Sequence, residues 1–581
     1  MVQLSKKKQL LSIPLIIIGL LSAVLLVASS LFLLFYPSPS ETLVPYSSGN
    51  EAVVLDGKLE EEEVVIRKNN VSYFSVEYIK QMIDDSVLYD EASKSVILTT
   101  KDRVLQIPTD SLNYFINEVP TELKFPVMIA QSGVSYVALD PLLTLFELQM
   151  DYDESTGIHV LRRNGETIIN ASVRSDKNID HLRLRTSSSL TAPYVYEVQN
   201  GEEVSIEKEE EGFYYVRKQN GIAGYIEKSE VEINQSVKIA VDADQVTYEL
   251  PKLNWPIHLV WEAVYSKNPD TKKIPSIPGV NVVSPTWFSL ENNQGGITNL
   301  GSMEYVEWAK SKNFHIWGLF SNDFDPDKTH GAFKHFETRQ HMIRQLLHYA
   351  KTYKLDGINI DIENVYEEDG PLITQFVREA TPYFHQAGLL ISMDVTFISD
   401  SGMWSAFYER EKLAEIVDYM VVMAYDEHWA TSPIAGSVAS LPWVEGNLNR
   451  ILEVIPNERL ILGVPLYSRI WKEQETEGGN IEVSSKAHSM ESIQAWIKEH
   501  HLQVTYDEKT GQNYAEFYNQ EEKSLYKVWI EDEMSLNKRA QLVHKYQLAG
   551  VASWQRTFAS DVAWQELEDS LNRKNAVKQP K

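Results

Sequence analysis

Residues 356–363 read Asp356-Gly357-Ile358-Asn359-Ile360-Asp361-Ile362-Glu363, and the alternation in this stretch decides the fold. Side chains of a strand point to opposite faces in turn, so Ile358, Ile360 and Ile362 face one way and Asn359, Asp361 and Glu363 the other. An apolar face of three isoleucines must be buried. The acidic face also points inward if the strand belongs to a closed barrel covered by helices. Burying Asp361 and Glu363 without partners costs several kcal/mol, which is tolerable only near an open rim where a groove begins. Adjacent carboxylates on one face resist simultaneous ionisation, so one of them stays protonated near neutral pH and is available as a general acid. Asp356 lies at an odd offset from Asp361 and points away from that interior, which predicts a capping or anchoring role.

Working outward, further apolar runs of strand length occur at 257–261, 280–284, 315–320, 389–395, 419–424, 460–464 and 550–554. With 355–362 they make eight strands in roughly 320 residues. Between them, segments such as TRQHMIRQLLHYAKTY and LITQFVREATPYF carry apolar residues at helical spacing. The alternation predicts a (β/α)8 TIM barrel over 251–570. The interval 466–548 is too long for a plain crossover and predicts an α+β insertion on the rim.

Two smaller modules precede the barrel. Residues 51–165 repeat at an offset of 63: NVSYF from Asn70 aligns with GVSYV from Gly133, and YDEASKSVIL from Tyr89 with YDESTGIHVL from Tyr152. This region resembles the stalk domain named after the amino-terminal part of copper amine oxidases, and predicts a repeated α+β stalk. Residues 182–233 show short β-rich runs between Gly and Asn turns and predict a small barrel. Gly212, Tyr214, Tyr215, Val216, Gly221, Gly224, Tyr225 and Ile226 resemble the pattern of bacterial SH3-like domains, a resemblance that implies contact with wall peptides.

The amino-terminal 50 residues differ in texture. No charged side chain lies between Lys8 and Glu41, and 13–36 is 24 residues long, ~36 Å as a helix. The expectation is a cytoplasmic basic tail (1–12) with Lys6, Lys7 and Lys8, a transmembrane helix (13–36) and a linker (37–50). Basic residues before the apolar run and Glu41, Glu51 and Asp56 after it predict a single pass through a bacterial cell membrane, with the catalytic region facing the wall.

Composition narrows the chemistry. The 581 residues hold 54 Lys and Arg against 82 Asp and Glu, a formal charge of -28. Phosphate backbones are repelled, so nucleic acid is not expected as a partner. With no cysteine in the chain, thiolate nucleophiles, disulfides and cysteine-held metals are excluded. The fourteen histidines form no ligand pattern, and neither metal nor cofactor is expected.

About residues 255–565 resemble glycoside hydrolase family 18, the chitinases and peptidoglycan-cleaving N-acetylglucosaminidases. Asp356, Gly357, Asp361 and Glu363 match its D-G-x-x-x-D-x-E signature on barrel strand four, and Asn359 stands where the family usually has Asp. By that resemblance Glu363 is the general acid/base, with Asp361 and Tyr425 as its catalytic partners. Met423-Ala-Tyr425-Asp426 ends strand six, and its Tyr and Asp hold the substrate's acetamido group. Tyr467 and Arg469 line the groove, Trp554 lies beneath the reacting sugar, and Asn359 and Met423 complete the substrate site. The resemblance implies retaining, substrate-assisted hydrolysis of β-1,4 bonds in N-acetylglucosamine glycans, peptidoglycan foremost. Chitinase action and a noncatalytic glycan-binding or scaffold role are the alternatives.

Overall fold

The computed structural model describes residues 12–35, 38–61, 63–174, 182–242, 247–476 and 479–572. A helix runs Ser12–Phe35. The expected membrane anchor over 13–36 is nevertheless overturned: among the described residues no helix is long and apolar enough to cross a membrane. The transmembrane segment, the single-pass localisation and the membrane as a partner are therefore withdrawn. The basic tail with Lys6, Lys7 and Lys8 lies outside the described residues.

The chain divides into two compact units, one of 1–87, 109–112 and 123–245, the other of 88–108, 113–122 and 246–581. In the first unit the repeated strands Val71–Ser75 and Val134–Ala138 pair antiparallel, with Phe74 opposite Val137. Helix in this region is confined to short pieces, Val76–Tyr78 running on as Ile79–Ile83, and Asp140–Leu142. The second repeat's hairpin, Leu148–Asp153 with Ile158–Arg163, adds Ala52–Leu55 in parallel. The small barrel is a curled sheet in which Phe213–Arg217 lies between Glu203–Glu210 and Ala223–Glu227. Val216 and Ile226 fill its core with Leu184 and Val204.

The repeated Tyr-Asp-Glu has a local cause. Asp153 accepts the Ser155 and Thr156 N–H groups, and Asp90 accepts Ser93 N–H in the matching hairpin. Each aspartate thus closes its own turn. The first repeat's hairpin, Leu88–Asp90 with Ser95–Thr99, extends into a five-stranded sheet that belongs to the second unit. There the Asp90 carboxylate also accepts the N–H of Phe336, first residue of helix Phe336–Tyr353, at 2.9 Å. Leu88, Ile97 and Val104 pack against Phe336 and Tyr383, and Glu118 pairs with Arg344.

The second unit is built on the expected barrel. Its strands are Ile257–Glu262, Val282–Pro285, His315–Ser321, Gly357–Asp361, Leu390–Thr396, Tyr419–Met423, Leu460–Pro465 and Gly550–Trp554. All neighbours are parallel, and pairing of Ile257 with Gly550 joins the first strand to the eighth. Outward side chains such as Ile358, Ile360 and Ile362 merge with the surrounding helices in one large core. After strand seven, Tyr467–Glu475 opens a five-stranded antiparallel sheet covered by helix Met490–Glu499. That α+β lobe ends near Ile530. The remainder of the interval, helix Glu533–Tyr546, places Leu536, Ala540 and Val543 in the barrel core. The lobe is tied down by Arg539, which donates to both Glu531 oxygens, while Gln512 donates to Glu531 and Ser437 to Gln512.

Candidate active site

Strand four starts under steric constraint. A Cβ on Gly357 would lie 2.7 Å from the Trp317 ring and 2.8 Å from the Leu390 carbonyl oxygen, so no larger residue fits. Asp356, just before it, accepts the Ile316 N–H at 2.8 Å and the Lys310 ammonium at 2.5 Å. Burial pushes its carboxyl up, but His315, Lys310 and the Ile316 N–H outweigh that and hold it below the usual range. Asp356 therefore fastens the base of the strand, away from the groove.

Asn359 sits at the centre of the barrel, fully buried. Its Oδ1 accepts from Trp261 Nε1 at 3.0 Å and Ser284 Oγ at 2.9 Å. Its Nδ2 donates to Ser392 Oγ at 3.1 Å and Asp394 Oδ1 at 2.7 Å. One amide thus joins strands one, two, four and five with its whole hydrogen-bonding capacity in use.

One layer nearer the rim, Asp361 carries a sealed Oδ1 with no hydrogen-bond partner. Burial pushes its carboxyl up to about 7. A carboxyl raised in the folded state adds stability that is fully present below its unfolded value of roughly 4 and is lost as pH rises through 7. Asp361→Asn is accordingly expected to raise Tm relative to the unmodified chain at pH 8 and to leave a smaller gain at pH 4.5, measured by calorimetry at both values.

Glu363 lies just past the strand. Its N–H donates to Asn322 Oδ1 at 3.1 Å and its carbonyl accepts from Asn322 Nδ2 at 2.6 Å. Tyr408 donates to the carbonyl of Ile362 at 2.8 Å. The backbone carrying the carboxyl is therefore held from strands three and five. Burial first, then the negative charges of Asp361, Asp394 and Asp426, push the Glu363 carboxyl well above its ordinary value. The acid form is thereby favoured over the carboxylate.

Strands six to eight close the opposite wall. Met423 and Tyr425 are half-buried, and burial drives the Tyr425 phenol upward, so it remains a neutral donor. Asp426 is exposed, with φ of 61°, and its Oδ1 accepts Tyr467 OH at 2.6 Å and Arg469 Nη2 at 3.5 Å. Trp554 ends strand eight half-buried, its ring edge-on to Trp261 at 5.8 Å between centroids. Among the described residues no cluster of three or more His, Asp or Glu side chains is arranged to hold a metal.

Three residues of this site escaped the sequence reading. Asp394 had a usable signal, since Ser392, Asp394 and Thr396 alternate with apolar residues on strand five just as the polar residues do on strand four. Asn322 and Tyr408 had none, because each reaches the site through a loop whose path no local pattern fixes.

The family described as Glycosyl hydrolases family 18 matches residues 271–559. A Copper amine oxidase N-terminal domain matches 54–161 and a Bacterial SH3 domain 180–232. The chain is similar to an uncharacterized glycosylase of Bacillus subtilis (strain 168), 25% identical over 299 residues that cover 50% of this chain and 84% of that protein. It is also similar to the cortical fragment-lytic enzyme of the same strain, 25% identical over 237 residues, 40% of this chain and 54% of that protein, so it spans about half of that relative's length. A solved chitinase from Chromobacterium violaceum ATCC 12472 aligns with TM-score 0.49 and 21% identity over 55% of this chain and 100% of that one. Residues 271–559 thus form a glycosyl hydrolases family 18 domain, and the chain is a glycosidase that carries copper amine oxidase-like and SH3-like domains ahead of it.

Proposed function

We propose that the chain hydrolyses β-1,4 bonds of peptidoglycan beside N-acetylglucosamine, with retention of configuration and assistance from the substrate's own acetamido group. Glu363 gives its proton to the leaving oxygen as the C–O bond breaks. The acetamido carbonyl oxygen then bonds to the anomeric carbon, and Tyr425 and Asp361 orient that group. Water, giving a proton back to Glu363, opens the cyclic intermediate and restores the sugar. Asp426 with Tyr467 and Arg469 forms the wall of the sugar site, Met423 backs it, and Trp554 offers a flat face for stacking.

The observation that carries this reading is the Glu363 carboxyl at the open end of the barrel, whose acid form is favoured by desolvation and by the negative charges of Asp361, Asp394 and Asp426. The similarity to a cortical fragment-lytic enzyme favours a wall glycan over chitin. The test is digestion of purified peptidoglycan and of chitin oligomers with the full chain, followed by mass analysis of the new reducing ends. New N-acetylglucosamine ends from peptidoglycan are expected. Release from chitin alone would replace the substrate, and release from neither would remove the activity.

A further inference from the structure

Asp394 is a carboxylic acid with 1% exposure that makes no ion pair among the described residues. Its surroundings fix where its proton can be. Trp261 Nε1 can only donate, so the Asn359 oxygen must face Trp261 and its NH2 must face Asp394. Asp394 Oδ1 is therefore an acceptor, and any proton on this carboxyl sits on Oδ2.

Strands four and five set the other side. Their parallel register pairs Asn359 with Ser392 and Ile360 with Met393. One residue further brings Asp361 beside Asp394, both on the inward face, on strands ~4.8 Å apart. Asp361 Oδ1 is sealed and lacks a partner. Two carboxylates so placed cannot both ionise in a buried site.

We propose that Asp394 of strand five is the proton-sharing partner of Asp361, supplying from the neighbouring strand the second carboxyl that Asn359 does not provide. This rests on Glu363 being the general acid, and it makes Asp394 a positioning residue that acts through Asp361. The pair carries one proton and one negative charge. When Glu363 gives its proton to the leaving oxygen, the shared proton shifts to Asp361 and the charge to Asp394, away from the new Glu363 carboxylate. When Glu363 regains a proton from water, the pair relaxes, and nothing is consumed.

The other titratable or charged groups facing this pair are Glu363 at the end of strand four, Tyr425 and Asp426 after strand six, and Tyr408 and Arg410 after strand five. Arg410 spends its guanidinium on the Thr396, Phe397 and Ser405 carbonyls, so it does not neutralise Asp394. Asp394 is one of the charges that push the Glu363 carboxyl up. Without Asp394 the pair's one charge has nowhere to go but Asp361, next to Glu363, and Glu363 ionises at higher pH.

The test compares pH profiles of kcat/KM on a soluble N-acetylated oligosaccharide for the unmodified chain, Asp394→Asn, and the double variant Asn359→Asp with Asp394→Asn. In Asp394→Asn the single negative charge stays on Asp361 beside Glu363, so the alkaline limb is expected to move up by about one pH unit and to become less steep. The double variant, which returns a second carboxyl to the centre of the barrel, moves the limb back. A normalised profile of Asp394→Asn that superimposes on the original overturns the proposal. A second measurement needs no turnover. Infrared spectra of Glu363→Gln at pH 8 should contain a protonated-carboxyl band that disappears on adding Asp394→Asn, and a band that survives overturns proton sharing whatever the role of Glu363. If the Asn variant does not fold, Asp394→Ser, which keeps an acceptor for Asn359, is read by the same two criteria.

Discussion

Glu363→Gln is expected to lower turnover of N-acetylated glycans by about 10³-fold while substrate binding stays close to that of the unmodified chain. The amide has the shape of the acid and no proton to give. The backbone beneath it remains clamped by Asn322, so the side chain stays in place. The same change removes a carboxyl that burial and three neighbouring aspartates push toward its neutral form. The folded chain must oppose ionisation of that group as pH rises, whereas Gln never ionises. The variant should therefore have a higher Tm at pH 9 and little change at pH 4.5. Calorimetry at the two pH values and single-turnover kinetics separate this from a generally damaged barrel, which would lose stability at both. Undiminished turnover would remove Glu363 from the acid role.

The largest expected effect on stability lies away from the groove. Arg539 and Glu531 are each 1% exposed, and the guanidinium donates to both carboxylate oxygens and to the carbonyl of Ala439. Arg539→Met removes the cation and leaves Glu531 buried without its counterion, at a cost of about 3–5 kcal/mol. Burial already pushes the Glu531 carboxyl up, with Arg539 opposing, so in the variant it takes up a proton and part of the loss recovers at acidic pH. Denaturant unfolding at pH 7.5 and pH 5 measures both parts. The double change Arg539→Met with Glu531→Leu should recover much of the loss, because the unpaired charge is gone. A loss below about 1 kcal/mol at pH 7.5 would show that the pair contributes little.

The barrel was legible because its strands are short apolar runs whose outward faces form one core, and all eight lie within two residues of their expected starts. Strand four was legible to the level of side-chain direction, since its alternation is strict. The groove wall on strands six to eight was reached through motif resemblance, which named Tyr425, Asp426, Tyr467, Arg469 and Trp554 without their contacts. Asn359 shows the limit of that reading. It was expected in the substrate site, yet it is fully buried and its NH2 points sideways to Ser392 and Asp394. Neighbours two apart on a strand are farther away than side chains on the adjoining strand, and only closure of the barrel says which strand adjoins. The anchor failed for another reason. Apolar composition was read as a membrane span, whereas among the described residues no helix is long and apolar enough to cross a membrane.

The first repeat's hairpin has a consequence for how this gene can be cut and recombined. A fragment starting at residue 251, where the sequence pattern of the barrel begins, omits Asp90 and the Leu88, Ile97 and Val104 side chains that cover Phe336. It loses a helix cap worth ~1 kcal/mol and exposes an apolar face. The border drawn by sequence similarity is therefore not the border of cooperative folding. A fragment meant to keep the barrel intact therefore has to carry residues 88–108 and 113–122 or replace that cap and that cover.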